Sequence, residues 1–410
     1  MRVERYWQLN YEPKPAADER EVSAELLHQL RDAVKCRLIS DVPLGAFLSG
    51  GVDSATIVAL MSELGSGPVK TFSIGFGEEE YNELPYARLV AQRFGTDHHE
   101  FVVTPHVEEI LPKLVWHYNE PFADPSAIPT YYLSQLTREH VTVALNGDGG
   151  DESFAGYRRY LPSEDSAFLR LPLALRRAVL SASRSSSSLH PFVHRVQAWL
   201  EANALDRRHQ HIVRSMMLKP GLRAAICTPE FMAAAGAPDP EELWLKAFAD
   251  TDARNHVDAM LATDGAHYLP DVLLVKVDIA SMAHSLEARS PLLDHVLMEF
   301  VAKLPSHFKI RDGALKFALK RAVRGLICPR ARAGAPGVPD RDVPRPPSRS
   351  GPAALQVDVP RVRAPPGCGA ARVAVRGLEA GRGPDGRDSG AVEGQPCRAD
   401  HVVAGGHHGP

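Results

Sequence analysis

The stretch Leu44-Gly45-Ala46-Phe47-Leu48-Ser49-Gly50-Gly51-Val52-Asp53-Ser54 decides the fold. A short apolar run ends in a Ser-Gly-Gly turn, and a helical pattern (Ala55, Ile57, Val58, Leu60, Met61) follows at once. A strand that feeds a helix through glycines presents backbone N–H groups at the positive helix end, which is a site for phosphate. Gly50 and Gly51 let the main chain approach an anion closely and take up unusual dihedrals. Ser49 and Ser54 add hydroxyl donors. No Lys stands in the loop, so the Walker pattern G-x-x-x-x-G-K-[ST] is not met.

Outward from this loop, strand and helix patterns alternate. Strands are expected at 44–49, 70–76, 98–103 and 141–145, with helical spacing near 54–64, 85–95, 106–118 and 128–139. Such alternation means crossover units and a parallel sheet, with ligands at the carboxyl ends of the strands. The fold class expected is α/β, a parallel sheet with flanking helices, followed by a mostly helical second half. Residues 1–20 read as a connector broken by Pro13 and Pro15, and a helix begins near Asp18 with Val22, Leu26, Leu27, Leu30, Ala33, Val34 and Leu38 in phase. The main domain is placed at 21–330.

A second cluster follows the strand at 141–145. Asn146-Gly147-Asp148-Gly149-Gly150-Asp151-Glu152-Ser153-Phe154-Ala155-Gly156-Tyr157 holds its carboxylates among glycines. The EF-hand spacing fails here. Beside a polyphosphate these charges would repel the ligand, and a divalent cation between Asp53, Asp151 and phosphate oxygens removes the conflict. Mg²⁺ binds in this manner, through one or two carboxylates plus phosphates and waters. The two loops together therefore predict ATP and Mg²⁺.

The chain of 410 residues is 44% hydrophobic and 24% charged, with a net charge of −3, a globular composition without a basic stripe for nucleic acid. No apolar run reaches membrane-spanning length and no secretory signal opens the chain. Cys36, Cys227, Cys328, Cys368 and Cys397 form neither a metal spacing nor a disulfide framework. Free thiols in a reducing cytoplasm are the expectation. His98, His99 and His284 belong to no ligand set and are read as structural.

The loop at 49–54 resembles the SGG-x-DS pyrophosphate loop of the adenylating ATP pyrophosphatases. With both loops and the further stretches Phe72-Ser73-Ile74-Gly75-Phe76, Glu120-Pro121-Phe122-Ala123-Asp124-Pro125-Ser126, Leu269 to Asp278 and Ser281 to Asp294, residues 5–327 resemble the synthetase domain of glutamine-dependent asparagine synthetases and related amidotransferases. The resemblance implies adenylation of a carboxylate by ATP, release of pyrophosphate, then attack of ammonia to give an amide and AMP. It implies that Ser49, Gly50, Gly51, Val52, Asp53 and Ser54 hold pyrophosphate, that Leu48 and Ile74 border the adenosine with Gly147 nearby, and that Asp53 and Asp151 ligate Mg²⁺. Asp148 takes the place of the family's catalytic Glu, one methylene shorter; Glu287 and Arg289 are expected to brace the site, or else to form a buried Arg–carboxylate pair. The parent acceptor is aspartate; a secondary-metabolite or cell-surface precursor is the alternative, as is a remnant that only binds nucleotide.

Three departures stand out. The glutaminase half is missing: residue 2 is Arg2 and the chain opens inside the connector, so free ammonia or a separate glutaminase is expected to supply nitrogen. Ile279 replaces a basic residue that would face phosphate, with Lys276 a partial substitute. Finally, Lys320 is the last lysine, whereas relatives carry an essential one further on. Lys316 and Lys320 are expected on a helix facing solvent or core, and so to be poor replacements. Residues 331–410 contain 50 Gly, Pro, Ala or Arg among 80, too few apolar groups to offset ordering entropy. A GC-rich gene read out of frame from near Cys328 yields this composition. Codons for Gly-Phe-Pro-Ile-Ala-Thr, read in another frame, give Val-Pro-Asp-Arg-Asp-Val, the string at 338–343.

Overall fold

The computed structural model describes residues 4–77, 82–104, 106–161, 171–184, 200, 203–216, 218, 223, 226–236 and 239–327. The tail at 331–410, with the frame-shift reading attached to it, and Cys328, Cys368 and Cys397 lie outside the described residues. So does the serine run at 185–188. Five strands, β1 (Leu44–Phe47), β2 (Lys70–Gly75), β3 (Asp97–Val102), β4 (Val143–Leu145) and β5 (Glu287–Arg289), form one sheet in the order β3-β2-β1-β4-β5. Every neighbouring pair is parallel, with Gly45 opposite Lys70 and Leu44 opposite Val143.

Four strands match their expected positions to within two residues. β5 was not anticipated. It has three residues with charged ends at the sheet edge and none of the alternation that marks a strand. β1 is followed in chain order by β2 and β3 on one side, while β4 and β5 lie on the other. The switch point therefore falls between β1 and β4, where open parallel sheets bind ligands.

Helix α1 (Glu19–Arg37) starts where Asp18 accepts hydrogen bonds from the backbone N–H groups of Arg20 and Glu21, and it buries Val22, Leu26, Leu30, Ala33 and Val34. Helix α2 (Val52–Leu64) buries every residue from Ser54 to Met61, as expected of a helix covered on all sides. Helices α3 (Leu84–Phe94), α4 (Val107–Tyr118) and α5 (Ala127–Arg138) complete the crossovers, and α6 (Gly150–Phe154) opens in the acidic turn. A single apolar cluster joins α1, α2, β1 and β4 to Leu292, Leu297, Val301, Leu319 and Val323 near the end of the described chain.

Among the described residues the second half is mostly helical, as expected, with β5 its one named strand. It includes α7 (Arg207–Ser215), α8 (His256–Thr263), α9 (Val275–Met282) and α10 (Phe317–Ala322). Between α8 and α9 the chain runs in π geometry from Asp264 to Leu274. Pro270 sits inside this segment, and the wider turn accommodates a residue without an N–H. The stretch before α1 does more than connect. Tyr11 is buried, its N–H and that of Glu12 donate to Asp252, and Lys14 pairs with Asp258 at 2.6 Å. Among the described residues no helix is long and apolar enough to cross a membrane.

Candidate active site

The loop at 48–54 leaves the carboxyl end of β1 and the acidic turn leaves that of β4, so the two meet at the switch point. Gly51 stands at the N-cap of α2, and no side chain caps its first N–H groups. Those donors, at the positive end of a thirteen-residue helix, are available to an anion. Gly50 has φ +81°, and a Cβ there would lie 2.5 Å from the backbone of Tyr86. Gly51, by contrast, has ordinary extended dihedrals (φ −67°, ψ 162°), so only one of the two glycines is unusual. Ser49 and Ser54 share a hydroxyl–hydroxyl hydrogen bond of 3.0 Å, and Gly51 N–H donates to Ser49 Oγ. Leu48 is buried with its carbonyl accepting from Ser73, and Ile74 is half-buried near the end of the neighbouring β2.

Gly147 backs onto the start of α2: a Cβ there would meet Asp53 Cβ at 2.9 Å and Ser54 N at 3.0 Å. Asn146 is held by Ser290, whose hydroxyl donates to its Oδ1 at 2.6 Å, and by the carbonyl of Arg289. Asp148 Oδ2 and Asp53 Oδ1 are buried atoms without a hydrogen-bond partner. Burial raises the Asp148 carboxyl above its usual range; Lys276 pulls it back and Asp151 pushes it further up. Burial likewise lifts Asp53 to about 6, against the pull of Lys316 and with the repulsion of Asp151. Glu152 is pushed up to about 7 by burial and the charge of Asp151, and it accepts from Tyr157 O–H at 2.5 Å.

The residue missed in sequence is Lys316. Its ammonium pairs with Asp53 Oδ2 and, at 2.8 Å, with Asp151 Oδ1. The expectation of a helical lysine facing solvent or core fails because Lys316 precedes α10. It adopts a left-handed conformation (φ 53°) that turns its side chain into the acidic site. Burial alone would lower its pKa, but the two carboxylates overcome this and raise it. Gly156 makes room: a Cβ there would meet Asp151 Oδ1 at 1.8 Å and Lys316 Cε at 2.1 Å. The sequence signal was the break in helical phase between the Asp312-Gly313 turn and Phe317.

Other expectations need adjusting. Ile279 packs with Val275 and Ala283 against α4 and α5, so a side chain at this position meets an apolar cluster. Lys276, one turn before Ile279 on α9, lies 3.9 Å from Asp124. Glu287 is exposed and pairs with Arg289 at 2.6 Å; Arg289 also donates to the carbonyls of Arg37 and Ile39. That pair fastens the end of α1 to β5 and is not a buried ion pair. His98 bonds Thr71 at 2.8 Å, His99 stacks on Phe72, and His284 abuts Tyr131.

A family model described as asparagine synthase matches residues 25–333. The chain belongs to the asparagine synthase family. It is 30% identical over 325 residues to asparagine synthetase [glutamine-hydrolyzing] 1 of Bacillus subtilis, covering 78% of this chain and 50% of that protein. It is 47% identical over 174 residues to the putative asparagine synthetase [glutamine-hydrolyzing] 2 of Methanocaldococcus jannaschii, 42% of this chain and 33% of the other. Amidase chyE of Penicillium rubens is 26% identical over 362 residues, 78% of this chain and 53% of the relative. The asparagine synthase family member described here thus spans about half the length of curated relatives it matches.

Proposed function

We propose that this chain is an ATP-dependent amide-forming ligase. It adenylates a carboxylate, with aspartate as the parent acceptor, and passes the acyl group to ammonia. The supporting observation is that the acids of two separate loops, Asp53 and Asp151, converge on one cation at the head of α2. Hard carboxylate oxygens, one of them a buried Asp53 atom without a partner, are the donor set that Mg²⁺ takes. Asp53 and Asp151 would hold it, and bound there it would neutralise charge on the phosphates.

The chain's own residues have distinct tasks in this reading. Ser49, Gly50, Gly51, Val52 and Ser54 cradle the departing pyrophosphate with backbone N–H and hydroxyl groups. Leu48, Ile74 and Gly147 border the adenosine. Lys316 offers an ammonium to phosphate once its carboxylate partners turn elsewhere, which supplies a cation despite the absence of any later lysine. Asp148, whose burial makes it more basic, accepts a proton from ammonia as nitrogen attacks the acyl carbon. Ammonia is the nitrogen donor in this reading.

Pyrophosphate release with ATP, ammonium and aspartate tests the reading, followed by a panel of other carboxylates. Carboxylate-dependent release that disappears in Asp151→Asn supports it. No release with any carboxylate overturns it and leaves a nucleotide-binding remnant. Release with a non-amino-acid carboxylate alone moves the acceptor toward a secondary-metabolite or cell-surface precursor.

A further inference from the structure

Asn146, the first residue past β4, is 4% exposed. Its backbone N–H donates to the carbonyl of Arg289, which ties it to β5. Two donors converge on its side-chain oxygen, the Ser290 hydroxyl at 2.6 Å and the backbone N–H of Asp148 at 3.3 Å. A backbone N–H can only donate, so the network itself places the amide oxygen on that side and Nδ2 on the other.

That other half of the amide is left open. Nδ2 is buried with no hydrogen-bond partner, and so is Asp148 Oδ2 two residues on. Among the described residues the turn thus holds an unpaired N–H donor and an unpaired carboxylate acceptor. Gly147, between them, backs onto Asp53 and Ser54, so this part of the turn lies against the head of α2.

Buried polar atoms without partners destabilise a protein, and in native structures they call for an explanation. A metal ion accounts for the open oxygen of Asp53 in the ligase reading, but an amide NH₂ only donates and is no ligand for Mg²⁺. An oxygen of the bound reactant satisfies it instead.

We infer that Asn146 is a catalytic residue of the amide-forming step, its Nδ2 donating to the acyl oxygen as ammonia adds to the acyl carbon. The inference rests on the ligase reading and deepens it. In this step the nitrogen lone pair forms the C–N bond while the C=O π pair moves onto oxygen. One N–H proton passes to the Asp148 carboxylate. Collapse restores C=O and breaks the bond from the acyl carbon to the bridging oxygen, whose electron pair leaves with AMP. Negative charge therefore builds on one oxygen while a proton departs from the nitrogen on the same carbon. One open donor and one open acceptor answer these two needs. An amide already fixed through its oxygen requires no reorganisation at that moment. Adenylation builds no charge on the acyl oxygen, so the donor acts in the second step alone. Ser290 is a positioning residue, since it acts through Asn146.

Measuring the two half-reactions separately on the full chain tests it. Carboxylate-dependent exchange of labelled pyrophosphate into ATP, without ammonia, reports adenylation. Amide formation on adding ammonium reports the second step. Asn146→Ala should lower amide formation by about 10²–10³-fold and leave exchange within about twofold. Asn146→Ser, which restores a shorter donor, should recover part of the loss. Ser290→Ala keeps the donor and removes one bond that holds it, so amide formation should fall by about tenfold with exchange intact; this variant answers the question should Asn146→Ala fail to fold. Equal losses in both half-reactions overturn the inference, because the amide would then hold a reactant throughout. Undiminished amide formation in Asn146→Ala or, should that variant not fold, in Ser290→Ala overturns it as well. No exchange by the wild type with any carboxylate brings down the ligase reading and this inference together, a result distinct from the other two.

Discussion

Lys316 and Gly156 show how single residues set the chemistry of this site. Lys316 reaches Asp53 and Asp151 from a left-handed backbone position, and Gly156 leaves the space its side chain fills. Replacing the lysine leaves two carboxylates facing each other with less compensation. Both are partly solvated, so Lys316→Met should lower stability by about 1–3 kcal/mol, less than the cost of breaking a fully buried pair. Mg²⁺ should then raise the melting temperature of the variant more than that of the wild type, since the ion relieves a repulsion the lysine otherwise relieves. A thermal-shift titration with Mg²⁺ alone checks this, and equal shifts would contradict it. Gly156→Ala forces a methyl group into Asp151 and Lys316. A loss of about 1–3 kcal/mol in urea denaturation is expected, together with loss of carboxylate-dependent pyrophosphate release.

At the scale of the element, the π segment after α8 carries Asp264 into the interior beneath the 3₁₀ turn Arg158–Tyr160. Burial opposes its negative charge, but hydrogen bonds and charges from His211 and Arg159, and the Tyr160 hydroxyl, hold its carboxyl below the ordinary 3.8. A carboxyl depressed in the folded state stabilises the protein above its unfolded value. That stability is lost as pH falls through the folded value. Wild-type unfolding free energy should therefore drop below about pH 4, and Asp264→Asn should flatten that acid limb. At neutral pH the variant should be weaker by about 3–5 kcal/mol, because Arg159 loses its buried partner. Chemical denaturation across pH 3 to 7 reads both effects; an unchanged acid limb would show that other carboxylates dominate it.

Across the whole molecule, distant segments are held together by buried ionic contacts as well as by the apolar core. Asp258 on α8 pairs with Lys309 at 2.5 Å and with Lys14 at 2.6 Å, and Lys309 is pushed down to about 8 by burial. Lys14 and Lys309 also donate to the carbonyl of Ala302. The segment before α1 is thereby locked to the helical half. Asp258→Ala leaves two ammonium groups facing one another and should cost about 3–5 kcal/mol in equilibrium denaturation. A change below about 1 kcal/mol, the level of a surface pair, would show that the contact is not closed in solution.

Local signals were legible where the chain encodes them over a few residues. Glycines after an apolar run, helical spacing from Ala55 onward and alternating elements to Leu145 were sufficient to locate β1 to β4 and the carboxyl edge where the loops meet. β5 was too short to show a period. The side on which Ile279 packs depended on α4 and α5, far away in sequence. The partnership of Lys316 with Asp53, 263 positions apart, and that of Ser290 with Asn146, 144 positions apart, were decided by packing alone. Sequence by itself determined which short segments become the strands β1 to β4, the helices between them and the glycine turns that follow β1 and β4, because dihedral preference and hydrophobic period act between near neighbours. Only the tertiary structure decided which charges share a site, because Coulomb energy and desolvation depend on distances that exist once the chain has folded.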